Sequence, residues 1–170
     1  AYWMLLDSVA LNDPVIYCEH KFLYYHLKSE SIGERSLPIG KARIAREGTD
    51  VTLLCYGAMV SVCEQAAEEA QKAGRSCEIV DLRTLVPLDE ATVLESVKKT
   101  GRCVVVYEAP KTCGYGAELS ALIAEKCIEY LEGPIVRVAG FDTPFPYTLE
   151  PLYMPDSKRV LAGIEKTFVW

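Results

Sequence analysis

The chain has 170 residues, 50% of them hydrophobic, and a formal net charge of −6. That is enough for one compact domain with a real core, or one domain plus a fragment. The mildly acidic balance, without a block of Lys and Arg, argues against nucleic acid as a partner, because neutralising phosphates needs clustered cations. No apolar run reaches membrane-spanning length, which argues against a membrane role.

Residues 1–11 read as an amphipathic helix entered midway, with Trp3, Leu6 and Ala10 on one face. With no Met at position 1, the sequence reads as part of a longer one. Asp13-Pro14 ends the helix, since the residue before proline avoids helical geometry. Val15-Ile16-Tyr17-Cys18 has the pattern of a buried strand. His20 and His26 flank the aromatic stretch Phe22-Leu23-Tyr24-Tyr25 and read as surface or interface histidines. Residues 27–37 are polar with Gly and Ser, and are read as a linker between residues 1–26 and residues 38–170.

The second unit has clear rhythm. Ile39 to Arg46 alternates like a strand, Gly48-Thr49-Asp50 is a turn, and Val51 to Tyr56 is a buried strand. If these two strands pair directly they must be antiparallel, because there is no room for a crossover. Val60, Cys63, Ala67 and Ala70 recur at helical spacing, and Gly74 can close that helix. Cys77 to Asp81 is the next strand. Asp89 is the expected N-cap of a helix carrying Leu94 and Val97 inward and ending at Gly101. Cys103 to Tyr107 is the most strand-like run in the chain. Leu119, Leu122, Ile123, Cys127 and Tyr130 mark a third helix, Ile135 to Val138 a last strand, and Val160, Leu161, Ile164 and Phe168 a terminal helix starting at Asp156 or Ser157. This alternation predicts an α/β domain with three layers, α/β/α, and a five-stranded, mostly parallel sheet with one antiparallel strand.

The seven cysteines form no C-x-x-C pair. They read as reduced, mostly buried thiols of a cytosolic-type compartment, without the spacing of a zinc site. In such sheets ligands gather beyond the carboxyl ends of the strands. The loops from Glu108 to Gly116 and from Gly140 to Tyr147 meet that edge. Gly114-x-Gly116 has the form of a phosphate cradle, but the full nucleotide-binding patterns are absent. The favoured reading is that these glycines let the loop turn tightly into a helix. Glu108 is a single carboxylate at a strand end, for which a structural hydrogen bond is favoured over acid–base work.

Several segments carry a family likeness. Asp13-Pro14-Val15-Ile16-Tyr17-Cys18-Glu19-His20-Lys21-Phe22-Leu23-Tyr24 resembles the end of the pyrimidine-binding domain in beta subunits of thiamine-diphosphate-dependent 2-oxoacid dehydrogenases. Glu47-Gly48-Thr49-Asp50-Val51-Thr52-Leu53 and the run from Glu78 to Asp89 look like the transketolase C-terminal domain that follows it. Glu108-Ala109-Pro110 and Gly140-Phe141-Asp142-Thr143-Pro144-Phe145-Pro146 resemble the branched-chain enzymes more than the pyruvate-specific ones.

The resemblance implies the C-terminal part of a beta subunit that works with an alpha subunit and a second beta subunit. The whole enzyme oxidatively decarboxylates a 2-oxoacid on thiamine diphosphate with Mg²⁺ and passes the acyl group to a lipoyl arm. The family's activating glutamate and proton-transfer histidine lie upstream of these residues, so no catalytic or cofactor-binding residue is assigned. The resemblance also implies a monovalent-cation (K⁺) site matching Ser8, Leu11 and Asp13, where Leu11 replaces the family's usual Asp. It implies as well a docking site for the subunit-binding domain of the lipoyl acyltransferase, matching Glu132 and the terminal carboxylate of Trp170. The alternatives are the C-terminal domain of a transketolase or deoxyxylulose-phosphate synthase, and a free-standing interaction module of the same fold.

Overall fold

A computed structural model describes residues 1–34 and 37–169. Helix α1 (Tyr2–Val9) stops before the Asp13-Pro14 pair. The strand expected over Val15–Cys18 does not form. Those residues run without a partner strand, and Ile16 is 92% exposed. Apolar character alone cannot make a strand, because its N–H and C=O groups need a neighbouring ladder. Helix α2 (Leu23–His26) is a single turn, and residues 27–34 contain neither helix nor strand.

Strand β1 (Arg43–Arg46) and strand β2 (Val51–Cys55) follow. The chain continues through α3 (Met59–Lys72), β3 (Cys77–Asp81), α4 (Glu90–Thr100), β4 (Cys103–Pro110), α5 (Tyr115–Cys127), β5 (Val136–Gly140), the short α6 (Glu150–Tyr153) and α7 (Ser157–Lys166). The five strands lie in the order β1-β3-β2-β4-β5. Pairs β3–β2, β2–β4 and β4–β5 are parallel, and β1 is antiparallel to β3. The predicted sheet is therefore present. However, β1 and β2 are not neighbours, because β3 lies between them. The crossover through α3 brings β3 back beside β2 and leaves its far edge for β1.

Successive residues of the central strands point to opposite faces, as strand geometry requires. Leu53, Ile79, Val104 and Val106 pack with Cys63, Ala67 and Ala70 of α3 and with Val160 and Ile164 of α7. Leu54, Val80 and Val105 pack with Val93 and Val97 of α4 and with Leu119 and Ile123 of α5. Most of the expected inward residues of the four long helices join these clusters, and helices cover both faces; Tyr130, expected on the third helix, lies instead in a short turn after α5 and is 49% exposed. Among the described residues no helix is long and apolar enough to cross a membrane.

The polar groups inside this core are paired. Thr52, buried in β2, shares its hydroxyl with Ser96 and Thr100 of α4, each at 2.8 Å. Glu78, buried in β3, is bonded by Lys99 from the last turn of α4. Gly101 takes a left-handed conformation (φ 69°), and its N–H bonds the Val97 carbonyl, closing α4 as its position suggested.

Asp89 caps α4 and also holds β1's approach. Its carboxylate accepts from the Thr92 hydroxyl at 2.8 Å and from the Ala42 N–H at 3.1 Å, while Lys41 lies 3.4 Å away. Burial pushes the Asp89 carboxyl up, but the Thr92 and Ala42 donors outweigh it and hold the group below the usual carboxylate range. Replacing Asp89 with Ala removes a cap and orphans a buried N–H, so a loss of about 2–3 kcal/mol is expected in urea unfolding. A group whose folded value is depressed stabilises above its unfolded value, about 3.9, and loses that contribution as pH falls through the folded value. The stability gap between wild type and variant should therefore be flat near neutrality and shrink below about pH 4. A gap that stays constant down to pH 2 would count against this.

Candidate functional site

The carboxyl end of β4 shapes the edge where ligands gather in parallel sheets. Tyr107 is fully buried there, and its ring lies against Gly114 and Gly116. A Cβ on Gly116 would sit 2.0 Å from the Tyr107 ring, and one on Gly114 2.5 Å from it. Gly114 has ordinary extended backbone (φ −76°). These glycines are therefore not there for an unusual turn, as expected from sequence, but for close packing of an aromatic ring.

Beyond Tyr107, Glu108 meets a residue from the start of the chain. His20 Nε2 lies 2.7 Å from Glu108 Oε1 and 3.0 Å from Oε2. The imidazole also rests near Gly57, in the loop after β2. Burial, and then the Glu108 carboxylate, push the neighbouring Tyr56 phenol up to about 12. The pair opens onto a cleft of about 410 Å³ walled by Thr143, Phe145, Glu150 and Tyr153. Phe145 and Tyr153 meet edge to face at 5.2 Å.

A histidine–carboxylate pair in a cleft suggests acid–base chemistry, but the geometry here does not suit it. A general base must present a nitrogen to its substrate. Nε2 is engaged by both carboxylate oxygens, and Nδ1 is buried without a partner among the described residues. Among those residues no three His, Cys, Asp or Glu side chains gather to hold a metal. The arrangement is a tether that fastens the segment before α2 to the sheet. Sequence reasoning assigned His20 and Glu108 separate, unremarkable roles. They are 88 residues apart, so no local spacing could have joined them.

The other sequence-derived residues lie elsewhere. Ser8 is buried in α1, its hydroxyl donating to the Met4 carbonyl at 2.7 Å and its own carbonyl accepting from Leu11 N–H at 3.3 Å. Leu11 and Asp13 are exposed just after that helix. Glu132 is exposed, and its carboxylate receives the Arg102 guanidinium at 2.7 Å. Arg102 also donates to the Thr167 carbonyl at 3.2 Å, and its guanidinium and that of Arg75 lie over the Phe168 ring at 4.6 and 3.9 Å. Glu132 is thus joined to the end of α7. Trp170, the other docking residue, lies outside the described residues.

The cysteines are all free. Five are buried, while Cys18 and Cys113 are exposed. Burial pushes the Cys77 thiol up to about 12 and Cys103 higher still, so these are packing residues rather than nucleophiles.

Residues 40–160 match the family described as transketolase, C-terminal domain. Over 98% of its length the chain is 50% identical to the mitochondrial 2-oxoisovalerate dehydrogenase subunit beta of Dictyostelium discoideum, covering 46% of that protein. Over its whole length it is 46% identical to the pyruvate dehydrogenase E1 component subunit beta of Leifsonia xyli, covering 51% of it. The chain thus spans about half the length of the curated relatives it matches. Among solved structures, one described as a split gene transketolase, inactive beta4 tetramer, aligns with a TM-score of 0.67 and 26% identity, covering 82% of this chain and 45% of that one.

Two variants test the local geometry. Gly116→Ala forces a methyl into the Tyr107 ring and should cost about 3 kcal/mol in denaturant unfolding. A cost below about 1 kcal/mol would mean the ring has room to move. His20→Ala should free the segment before α2, seen as faster tryptic cleavage after Lys21. Global stability should fall by no more than about 1 kcal/mol, because the pair is partly exposed. Unchanged cleavage would show that other contacts hold the segment.

Proposed function

We propose, since this chain belongs to the transketolase C-terminal domain family, that it serves as that domain in the beta subunit of a branched-chain 2-oxoacid dehydrogenase. The observation that carries the reading is 50% identity with a 2-oxoisovalerate dehydrogenase beta subunit, sustained over 98% of the chain. The matched relatives include pyruvate dehydrogenase beta subunits, so pyruvate is the competing substrate.

Thiamine diphosphate with Mg²⁺ is the coenzyme of such an enzyme, and it would supply the decarboxylation chemistry. In the one phosphate-cradle pattern of this chain both glycines pack against the Tyr107 ring. The full nucleotide-binding patterns are absent, and the coenzyme's contacts are assigned to other segments and to an alpha subunit. The work left to this chain is assembly. Its exposed apolar residues around α1 and α2, among them Leu6, Val9, Ile16 and Tyr25, are suited to contact with alpha and second beta subunits. Ser8, Leu11 and Asp13 offer carbonyl and carboxylate oxygens of the type that suits K⁺.

Glu132, together with Trp170, is the candidate docking point for the subunit-binding domain of a lipoyl acyltransferase. Glu132 suits that role because it is exposed and oriented by Arg102. A carboxylate held in this way can accept a charge-assisted hydrogen bond from a basic partner with its other oxygen.

The function is tested by assembling the full beta subunit with its alpha subunit and assaying 3-methyl-2-oxobutanoate against pyruvate. The branched substrate should give the higher kcat/KM, and the 170-residue chain alone should neither turn over substrate nor bind thiamine diphosphate. Saturable micromolar binding of the coenzyme to the chain alone would place the coenzyme site wrongly. For docking, Glu132→Ala in the assembled enzyme should weaken acyltransferase binding by about 1–3 kcal/mol, most clearly at low salt. Thermal stability should barely change, because exposed ion pairs contribute little. Equal affinity for wild type and variant in surface plasmon resonance would remove Glu132 from the docking site.

A further inference from the structure

A second cleft, of about 310 Å³, lies beside β5 and is lined by Lys111, Arg137, Arg159, Gly140, Phe141 and Asp142. The chain holds 24 acidic residues against 18 Lys and Arg, so three cations meeting in one cleft run against its overall charge. Their bonding also departs from the usual pattern. Arg159 donates to the Tyr153 carbonyl at 2.9 Å and to the Ala139 carbonyl, and its guanidinium lies 4.5 Å from the centre of the Phe141 ring. Arg137 donates to the Lys111 carbonyl at 2.9 Å. Among the described residues, none of these cations is ion-paired with a carboxylate.

The carboxylate that lines the cleft takes its side-chain hydrogen bond from Thr112 and offsets one of the three cations. Asp142 accepts from the Thr112 N–H at 2.8 Å and from its hydroxyl at 2.7 Å. Those two donors, and after them the Lys111 N–H and the Lys111 charge, hold the Asp142 carboxyl below its usual range, so it is ionised at neutral pH. Three cations against one carboxylate leave the cleft with a net charge of +2.

We propose that this cleft binds a phosphate dianion, either free or carried on a small molecule. The charge matches, because Asp142 offsets only one of the three cations and the remaining like charges repel one another. Guanidinium forks suit the paired oxygens of phosphate. Arg159 is already fixed by two carbonyls and a ring, so ordering it costs little on binding. The volume is roughly that of ten waters in the liquid, which leaves room for a group attached to the phosphate. Phe141 offers that group an apolar wall. The position, beyond the carboxyl end of β5, is the edge at which parallel sheets receive ligands.

Isothermal titration of the 170-residue chain at constant ionic strength tests this, with inorganic phosphate, phosphoglycolate and acetate as probes. Both phosphates should bind with Kd of about 1 mM or tighter, and acetate at least about tenfold more weakly. Equal affinity for the two phosphates identifies free phosphate as sufficient, and tighter phosphoglycolate identifies a phosphorylated small molecule. Lys111→Gln breaks no side-chain hydrogen bond among the described residues, so it keeps the fold while weakening binding about fivefold to tenfold. Adding Arg137→Gln should bring the loss to about a hundredfold, with circular dichroism confirming that the double variant folds. The proposal is overturned if neither phosphate binds saturably below about 10 mM, or if the folded double variant binds as tightly as wild type.

Discussion

The rest of the fold depends on the complete burial of β4. It lies between β2 and β5, pairs in parallel with both, and from Cys103 to Tyr107 exposes nothing to solvent. A strand covered on both faces must be apolar on both, which is why Cys103-Val104-Val105-Val106-Tyr107 carries no alternation. The same burial makes its last ring consequential. Tyr107 is too large to share its space with a Cβ from the following loop or the first turn of α5, so positions 114 and 116 are glycine. The loop is thereby held close to the strand it leaves, and α5 starts directly over the ring.

That fixed loop divides the sheet's carboxyl edge into two chemically different halves. On one side Glu108 meets His20 and faces Phe145, Glu150 and Tyr153. On the other, Lys111 faces Arg137 and Arg159. Gly140 lies at the boundary, where a Cβ would sit 2.5 Å from the Glu108 carbonyl and 2.6 Å from the Tyr153 hydroxyl. The close approach of β5 to β4 at this point keeps an acidic cleft and a basic cleft within one short stretch of edge. Asp142 offsets one charge of the basic half while its carboxylate accepts from Thr112, and the other two cations are left unbalanced.

The layers were legible in the sequence because the central strands and the four long helices announce themselves by period, and because caps such as Asp89 and Gly101 act locally. Strand order was not. Nothing in residues 39–56 says that β3 will lie between β1 and β2, since that depends on the path of the α3 crossover. The failed strand at Val15–Cys18 has the same origin, for its apolar pattern is real but its ladder partner is not among the described residues. The site was less legible than the fold. Gly114 and Gly116 were visible, yet the reason for them is a ring seven and nine positions earlier in the chain. His20 with Glu108, and Arg159 with Arg137 and Lys111, are brought together only by tertiary structure.

Exposed apolar residues gather in two regions that the His20–Glu108 tether brings together. One is the stretch around α1 and α2, with Val9, Ile16 and Tyr25 strongly exposed; the other is the loop after β5, with Tyr147 and Leu152 strongly exposed. His20 from the first region and Phe145 from the second line the same cleft, so the two surfaces adjoin. A lone apolar residue on a surface needs no explanation, but an adjoining set of this kind is what the proposed assembly role would use. The tether therefore has a consequence beyond its own modest energy. A partly exposed pair of this kind contributes about 1 kcal/mol or less, yet it holds the first region beside the second, so that the two apolar segments present one ordered surface. Pre-ordering matters most for assembly, because side chains and loops already in place have less freedom left to lose when a neighbouring subunit arrives.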